Sequence, residues 1–86
     1  MPRFLVEGYA SEAGVTDARQ RARRAAELGD QVVHLRTTFV PLDETVLHVF
    51  DAPSAEVLDR AGRLAQLRFD RIVEAIEDGG ESSEEG

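Results

Sequence analysis

Two imidazoles and one carboxylate are the side chains of this sequence whose types best match a set of metal ligands. His34 and His48 are its two histidines, and each lies in a run that is typical of a β-strand. Glu7 lies in another such run, among apolar residues, where an unpaired carboxylate is costly to bury. Imidazole and carboxylate together suit Ni²⁺, Zn²⁺ or Co²⁺. We therefore predict a metal site formed by Glu7, His34 and His48. The alternative is that the histidines are ordinary interface or surface residues.

Other charged residues allow further interpretations. Glu7 is a candidate general base with a raised pKa, or simply the ion-pair partner of Arg36. One predicted helix carries four arginines, which are Arg19, Arg21, Arg23 and Arg24. They either bind an acidic partner or phosphate, or form a solvated face. The sequence contains no Gly-rich phosphate loop, nucleophile elbow or cysteine nucleophile, so no catalytic residue is assigned.

The order of the hydrophobic patterns predicts the elements that position these side chains. Strand-like runs occupy residues 3–9, 32–40, 45–52 and 69–77, and helix-like runs separate the first two and the last two. This βαββαβ order predicts an α+β domain in which two helices cover one face of a four-stranded antiparallel sheet. An alanine-rich stripe from Val15 to Leu28 is the predicted buried side of the first helix, and Ser54 is the predicted N-cap of the second.

The register of the central hairpin decides which side chains share a face. We expect Arg36 to lie opposite His48, because this register groups the aliphatic residues of both strands against the helices. The apolar residues that would then face the helices are Leu35, Phe39, Leu47 and Val49. The open face then carries His34, Arg36, Thr38, Val46, His48 and Phe50. An exposed patch containing Val46 and Phe50 predicts a homodimer packed sheet against sheet.

Length and composition restrict the protein to a few classes. Its 86 residues make one domain, which we place at residues 1–77, followed by a disordered acidic tail at 78–86. There is no membrane-spanning apolar run, secretory signal or cysteine, so we expect a cytoplasmic protein with no membrane partner. The net charge of −7 argues against nucleic acid as a partner.

Several segments resemble a known family over about residues 3–77. They are Phe4-Leu5-Val6-Glu7, Leu35 to Pro41, Asp43-Glu44-Thr45, Asp51 to Glu56, and Leu67 to Ala75. Together they look like the small bacterial nickel-binding family known as domain of unknown function 4242. The resemblance implies a ferredoxin-like fold, dimerisation through the sheet, and nickel bound at the dimer surface in a sequestering role. Glu7 matches the family pattern. His34 and His48 are additions of this chain, and Gln66 stands where the family usually has Gly after the second helix.

Three functions follow as hypotheses. The first is a cytoplasmic homodimer that binds or sequesters Ni²⁺ or another divalent transition metal and needs no organic cofactor. The second is a non-catalytic interaction module that uses the arginine-rich helix and the acidic tail. The third is a small cofactor-independent acid–base enzyme that binds a small molecule in a cavity lined by Glu7, Tyr9, Arg36 and His48.

Overall fold

A four-stranded antiparallel sheet with two helices forms the domain, and the computed structural model describes residues 1–77 of it. The elements are β1 (Arg3–Tyr9), α1 (Val15–Leu28), β2 (Val33–Val40), β3 (Thr45–Asp51), α2 (Ala55–Leu64) and β4 (Arg71–Ala75). The strand order is β2-β3-β1-β4. The predicted βαββαβ α+β fold is confirmed. The predicted disordered tail lies outside the described residues.

Small residues on α1 let the sheet approach this helix closely. Ala22 and Ala25 have no exposed surface, and they pack in one cluster with Phe4 and Phe50 of the sheet. The centre of the predicted alanine stripe is therefore the buried side of the helix. Leu28, which we expected at the end of that stripe, is 43% exposed. Neither α1 nor α2 is long and apolar enough to cross a membrane, within the part of the chain that the structure describes.

The covered face of the sheet is the one that the sequence pattern assigned to solvent. Phe4 of β1 pairs with Phe50 of β3, and Val6 pairs with His48, so these four side chains share a face. Phe4, Val6 and Phe50 belong to the core beneath the helices. The prediction that Val46, His48 and Phe50 lie on the open face is therefore wrong. The physical reason is size, because on β3 the Phe50 ring buries more apolar surface than Leu47 or Val49 of the other face.

The predicted hairpin register is wrong over most of its length. Thr37, and not Arg36, lies opposite His48, and the register shifts by one residue between His34 and Arg36. This irregularity is a β-bulge at Leu35, which gives β2 one extra residue relative to β3. Strands normally alternate their faces residue by residue, so the bulge brings His34 and Thr37 to the same covered face.

The two ends of α2 follow the sequence prediction closely. The backbone N–H of Val57 donates to the Ser54 hydroxyl at 3.2 Å, which confirms Ser54 as the N-cap. After the helix, Gln66 has a φ of 60°, in the left-handed region that favours glycine. The family that this sequence resembles usually has Gly at this position, and any residue with a Cβ atom is strained in this backbone conformation.

Replacing Gln66 with Gly should stabilise the domain. Glycine adopts the left-handed conformation without a clash of Cβ, so we expect Gln66→Gly to raise the free energy of unfolding by about 1 kcal/mol. Urea unfolding followed by circular dichroism measures this change. Gln20→Gly is the matched control, because Gln20 is exposed within α1 and its replacement should lower the stability instead. A Gln66→Gly protein less stable than the wild type would contradict the assigned conformation.

Candidate functional site

A chain of three polar side chains crosses the covered face beside the edge of the sheet. The Thr37 hydroxyl lies 2.8 Å from Nε2 of His34 and 2.8 Å from Nδ1 of His48. The two imidazole rings are 6.1 Å apart between centroids, and the His34 ring also lies 5.2 Å from the Phe50 ring. The bulge in β2 creates this arrangement, because it places His34 and Thr37 on the face that His48 shares.

The single hydroxyl proton of Thr37 makes the two imidazoles unequal. A hydroxyl donates one hydrogen bond, so it donates to one ring nitrogen and accepts from the other. Of the two nitrogens that face Thr37, one is therefore protonated and the other is not. These hydrogen bonds therefore link the tautomers of the two imidazoles. A change of tautomer at one ring requires a matching change at the other, through the Thr37 hydroxyl.

His48 is the buried end of this chain. It has no exposed surface, and its Nε2 atom has no hydrogen-bond partner among the described residues. Burial, and to a lesser degree the nearby His34, lowers the pKa of His48 from 6.5 to about 4. An unsatisfied buried polar atom costs about 1–3 kcal/mol, so the rest of the core must compensate for this side chain.

His34 is the accessible end of the chain and borders a groove between α1 and β2. Its side chain is partly buried, and the groove has a volume of about 520 Å³. Burial is the main factor that lowers the pKa of His34, followed by the positive charge of Arg23, and Arg19 adds to it. The backbone of Arg36 acts in the opposite direction on this pKa. The surroundings of His34 are thus positively charged, and they favour an anion over a metal cation.

The structure brings His34 and His48 together but leaves Glu7 on the other face. Glu7 pairs with Leu47 across the sheet, on the face opposite to His48. Its carboxylate accepts a hydrogen bond from Nε of Arg71 at 2.6 Å, so its partner is Arg71 and not Arg36.

The predicted trio therefore does not form one coordination sphere. Within residues 1–77, no group of three His, Asp or Glu side chains is arranged to hold a metal ion. The hydroxyl of Thr37 also occupies the space between the two ring nitrogens that would share an ion. These side chains do not fit the nickel site that the resemblance implies.

The four residues proposed for an acid–base cavity are also separated. Glu7 and Arg36 lie on the open face by their register, whereas His48 lies on the covered face. Tyr9 ends β1, and its exposed hydroxyl donates to the carboxylate of Glu44, which raises the pKa of Tyr9. No common cavity brings these four side chains together among the described residues.

Thr37 is the member of the site that sequence reasoning missed. Its hydroxyl links the two histidines, yet in regular alternation Thr37 and His34 would point to opposite faces. Only the bulge places them together, and nothing in the local sequence marks its position.

Comparisons with known proteins support the fold alone. No family model matches the sequence, and no curated protein matches it. The crystal structure of SCO4226 from Streptomyces coelicolor A3(2) is similar, with a TM-score of 0.71 at 18% sequence identity. The match covers 90% of this chain and 99% of that protein. At this identity, the likeness supports the ferredoxin-like arrangement of the elements and carries no residue-level function.

Burial of neutral His48 should make the protein less stable in mild acid. Because the pKa of His48 is lowered on folding, its contribution to stability is complete above pH 6.5 and is lost as the pH falls towards 4. A shift of this size corresponds to about 3 kcal/mol, since each pKa unit is worth about 1.4 kcal/mol. Urea unfolding at a series of pH values measures the loss.

The variant His48→Leu isolates this effect from the titration of carboxylates. In this variant, the loss of stability between pH 6.5 and 4 that His48 causes should disappear, and the pH dependence due to other groups should remain. The variant His34→Gln should keep most of the loss due to His48. Identical pH profiles for the wild type and His48→Leu would show that His48 is not held neutral by burial.

Proposed function

We propose that this protein is a non-catalytic interaction module that associates as a homodimer through the open face of its sheet. The observation that carries the proposal is a row of apolar side chains across the middle of that face. Leu5 pairs directly with Val49 on one side and with Val73 on the other. Leu5 is partly exposed and Val73 is 37% exposed, whereas Val49 is 4% exposed and contributes little surface of its own. These residues replace Val46 and Phe50, the apolar pair that the sequence pattern assigned to the interface.

Ion pairs flank the apolar row on both sides. Nε of Arg3 lies 2.8 Å from Asp51 on one side, and Arg71 binds Glu7 on the other. Hydrogen bonds from Arg3 are the main reason that the pKa of Asp51 is lowered. An apolar centre with a charged rim is the usual anatomy of a protein interface, so this arrangement supports association between two copies.

The size of the face sets the expected strength of the dimer. Four strands about 4.8 Å apart and about six residues long at 3.3 Å each make a face of about 400 Å² in projection. Side-chain relief increases the area, but a standard interface buries about 800 Å² per partner. We therefore expect a reversible dimer whose population depends on concentration, with the two-fold symmetry usual for such contacts.

Metal binding remains a second prediction, which rests on the family resemblance and on the proximity of His34 and His48. It would use these imidazoles without Glu7 and would require Thr37 to move. Calorimetric titration of the untagged protein with Ni²⁺ tests it. The prediction is supported if the wild type releases or absorbs heat on binding Ni²⁺ and each of His34→Gln and His48→Leu abolishes that heat. It is contradicted if the wild type shows no heat of binding at millimolar Ni²⁺. A cytoplasmic location likewise remains a prediction from the sequence.

A charge placed in the apolar row should separate the proposed dimer. Val73 lies at the end of the row on β4 and is 37% exposed, so Val73→Glu leaves the core beneath the helices intact. A glutamate there would have to be buried against the partner's surface, and we expect at least a tenfold weaker dimer, a change of about 1.4 kcal/mol. Sedimentation equilibrium over a range of protein concentrations measures the dissociation constant.

Leu42→Glu is the matched control. Leu42 is 94% exposed in the connection between β2 and β3, away from the apolar row, and its replacement introduces the same charge. The dissociation constant should not change in this variant. A wild-type protein that remains monomeric at high micromolar concentration would refute the homodimer.

A further inference from the structure

Two arginines of α1, Arg19 and Arg23, lie at the groove beside His34. Arg19 and Arg23 line the groove between α1 and β2, and neither forms an ion pair with another of residues 1–77. Arg21 on the same helix is different, because its Nε lies 2.8 Å from Asp17 one turn earlier. Arg24 of the same helix, outside the groove, also forms no ion pair within residues 1–77, so Arg19 and Arg23 are distinguished by their position at the groove.

This placement has a local cost. Arg19 and Arg23 are four residues apart on α1, so they are neighbours on one side of the helix. Like charges at this spacing destabilise a helix by about 0.2–0.5 kcal/mol. Their positive potential also reaches His34 and disfavours its protonated form. A bound anion would relieve both repulsions, since it would be attracted by the two guanidinium groups.

The remaining walls of the groove are partly apolar. Val32 is buried and Ala26 is partly buried against the core, and both line the groove. Leu35, the bulged residue of β2, also lines it and is 38% exposed. The volume of about 520 Å³ falls within the usual range for small-molecule sites. These walls suit the hydrocarbon part of a small ligand.

From this arrangement we infer that the groove between α1 and β2 is a binding site for a small organic acid. The carboxylate of the ligand lies against Arg19 and Arg23, and its short apolar body lies along Ala26, Val32 and Leu35. Guanidinium groups bind carboxylates through paired, charge-assisted hydrogen bonds, which supply the orientation. Val33 and Arg36 of β2 line the groove as well and lie on the open face by their register, so the groove borders the face proposed for dimerisation.

Glu27 disfavours a second acidic group at its end of the groove, whereas Arg36 adds a third positive charge on the β2 wall. Glu27 lines the same groove one helical turn beyond Arg23 and carries the opposite charge. A second carboxylate near Glu27 would be repelled, whereas an apolar or hydroxyl-bearing end would not. The inferred class is therefore a monocarboxylic acid with a hydrocarbon body.

Hexanoate is a suitable probe for this site, with hexanol and acetate as matched controls. We expect hexanoate to bind the ¹⁵N-labelled full-length protein with an affinity of about millimolar. Backbone amide shifts should change at Ala26, Val32 and Leu35. Hexanol lacks the charge and acetate lacks the hydrocarbon, so each should bind at least about tenfold more weakly. Affinity for hexanoate should fall as the salt concentration rises.

Arginine variants test the assignment of the charge. Arg19→Gln/Arg23→Gln should weaken hexanoate binding by at least about tenfold. Arg24→Gln removes one charge from an exposed position of the same helix outside the groove, and its affinity should equal that of the wild type. The proposal would be overturned if the double variant bound hexanoate as tightly as the wild type, or if hexanol bound as tightly as hexanoate. It would also be overturned if the amide shifts changed only on the open face or did not change at all.

Discussion

The pairing of Phe4 with Phe50 beneath the alanines of α1 is the contact on which the arrangement of the whole sheet depends. Both rings pack in one cluster with Ala22 and Ala25 of α1 and with Leu58 of α2, and Phe50 loses all of its exposed surface. Burying one such side chain is worth about 1.5–3 kcal/mol. Because strands alternate, fixing Phe50 inside also fixes Val46 and His48 inside and turns Leu47 and Val49 outward.

This choice of face explains why one polar side chain is buried at a cost. His48 lies between Val46 and Phe50 on the covered side of β3, so it enters the core with them. Among residues 1–77, one of its ring nitrogens has a partner, the Thr37 hydroxyl, and the other has none. The same pleat sends Glu7 to the opposite side of the sheet, where Arg71 neutralises it. The histidines and the carboxylate are therefore separated by the thickness of the sheet.

The bulge at Leu35 then divides the molecule into two surfaces of different character. On the covered side it brings His34 and Thr37 into line with His48, and it places Leu35 at the groove where Arg19 and Arg23 lie. On the open side, the row from Val49 through Leu5 to Val73 lies between two sets of ion pairs. The positively charged groove suits a small anion, whereas the apolar row suits a second protein surface.

The kind and order of the elements could be predicted from the residues alone. The pattern at residues 3–9 predicted β1 to the residue, and Ser54 marked the start of α2. These features depend on neighbouring residues, which is why they could be predicted. β1 and β3 carry apolar residues on both faces, so their local pattern does not say which face is covered. Packing against α1 made that choice, and pairing between β2 and β3 located the bulge. The positions of Glu7, His34, Thr37 and His48 relative to one another were therefore decided only by the tertiary structure.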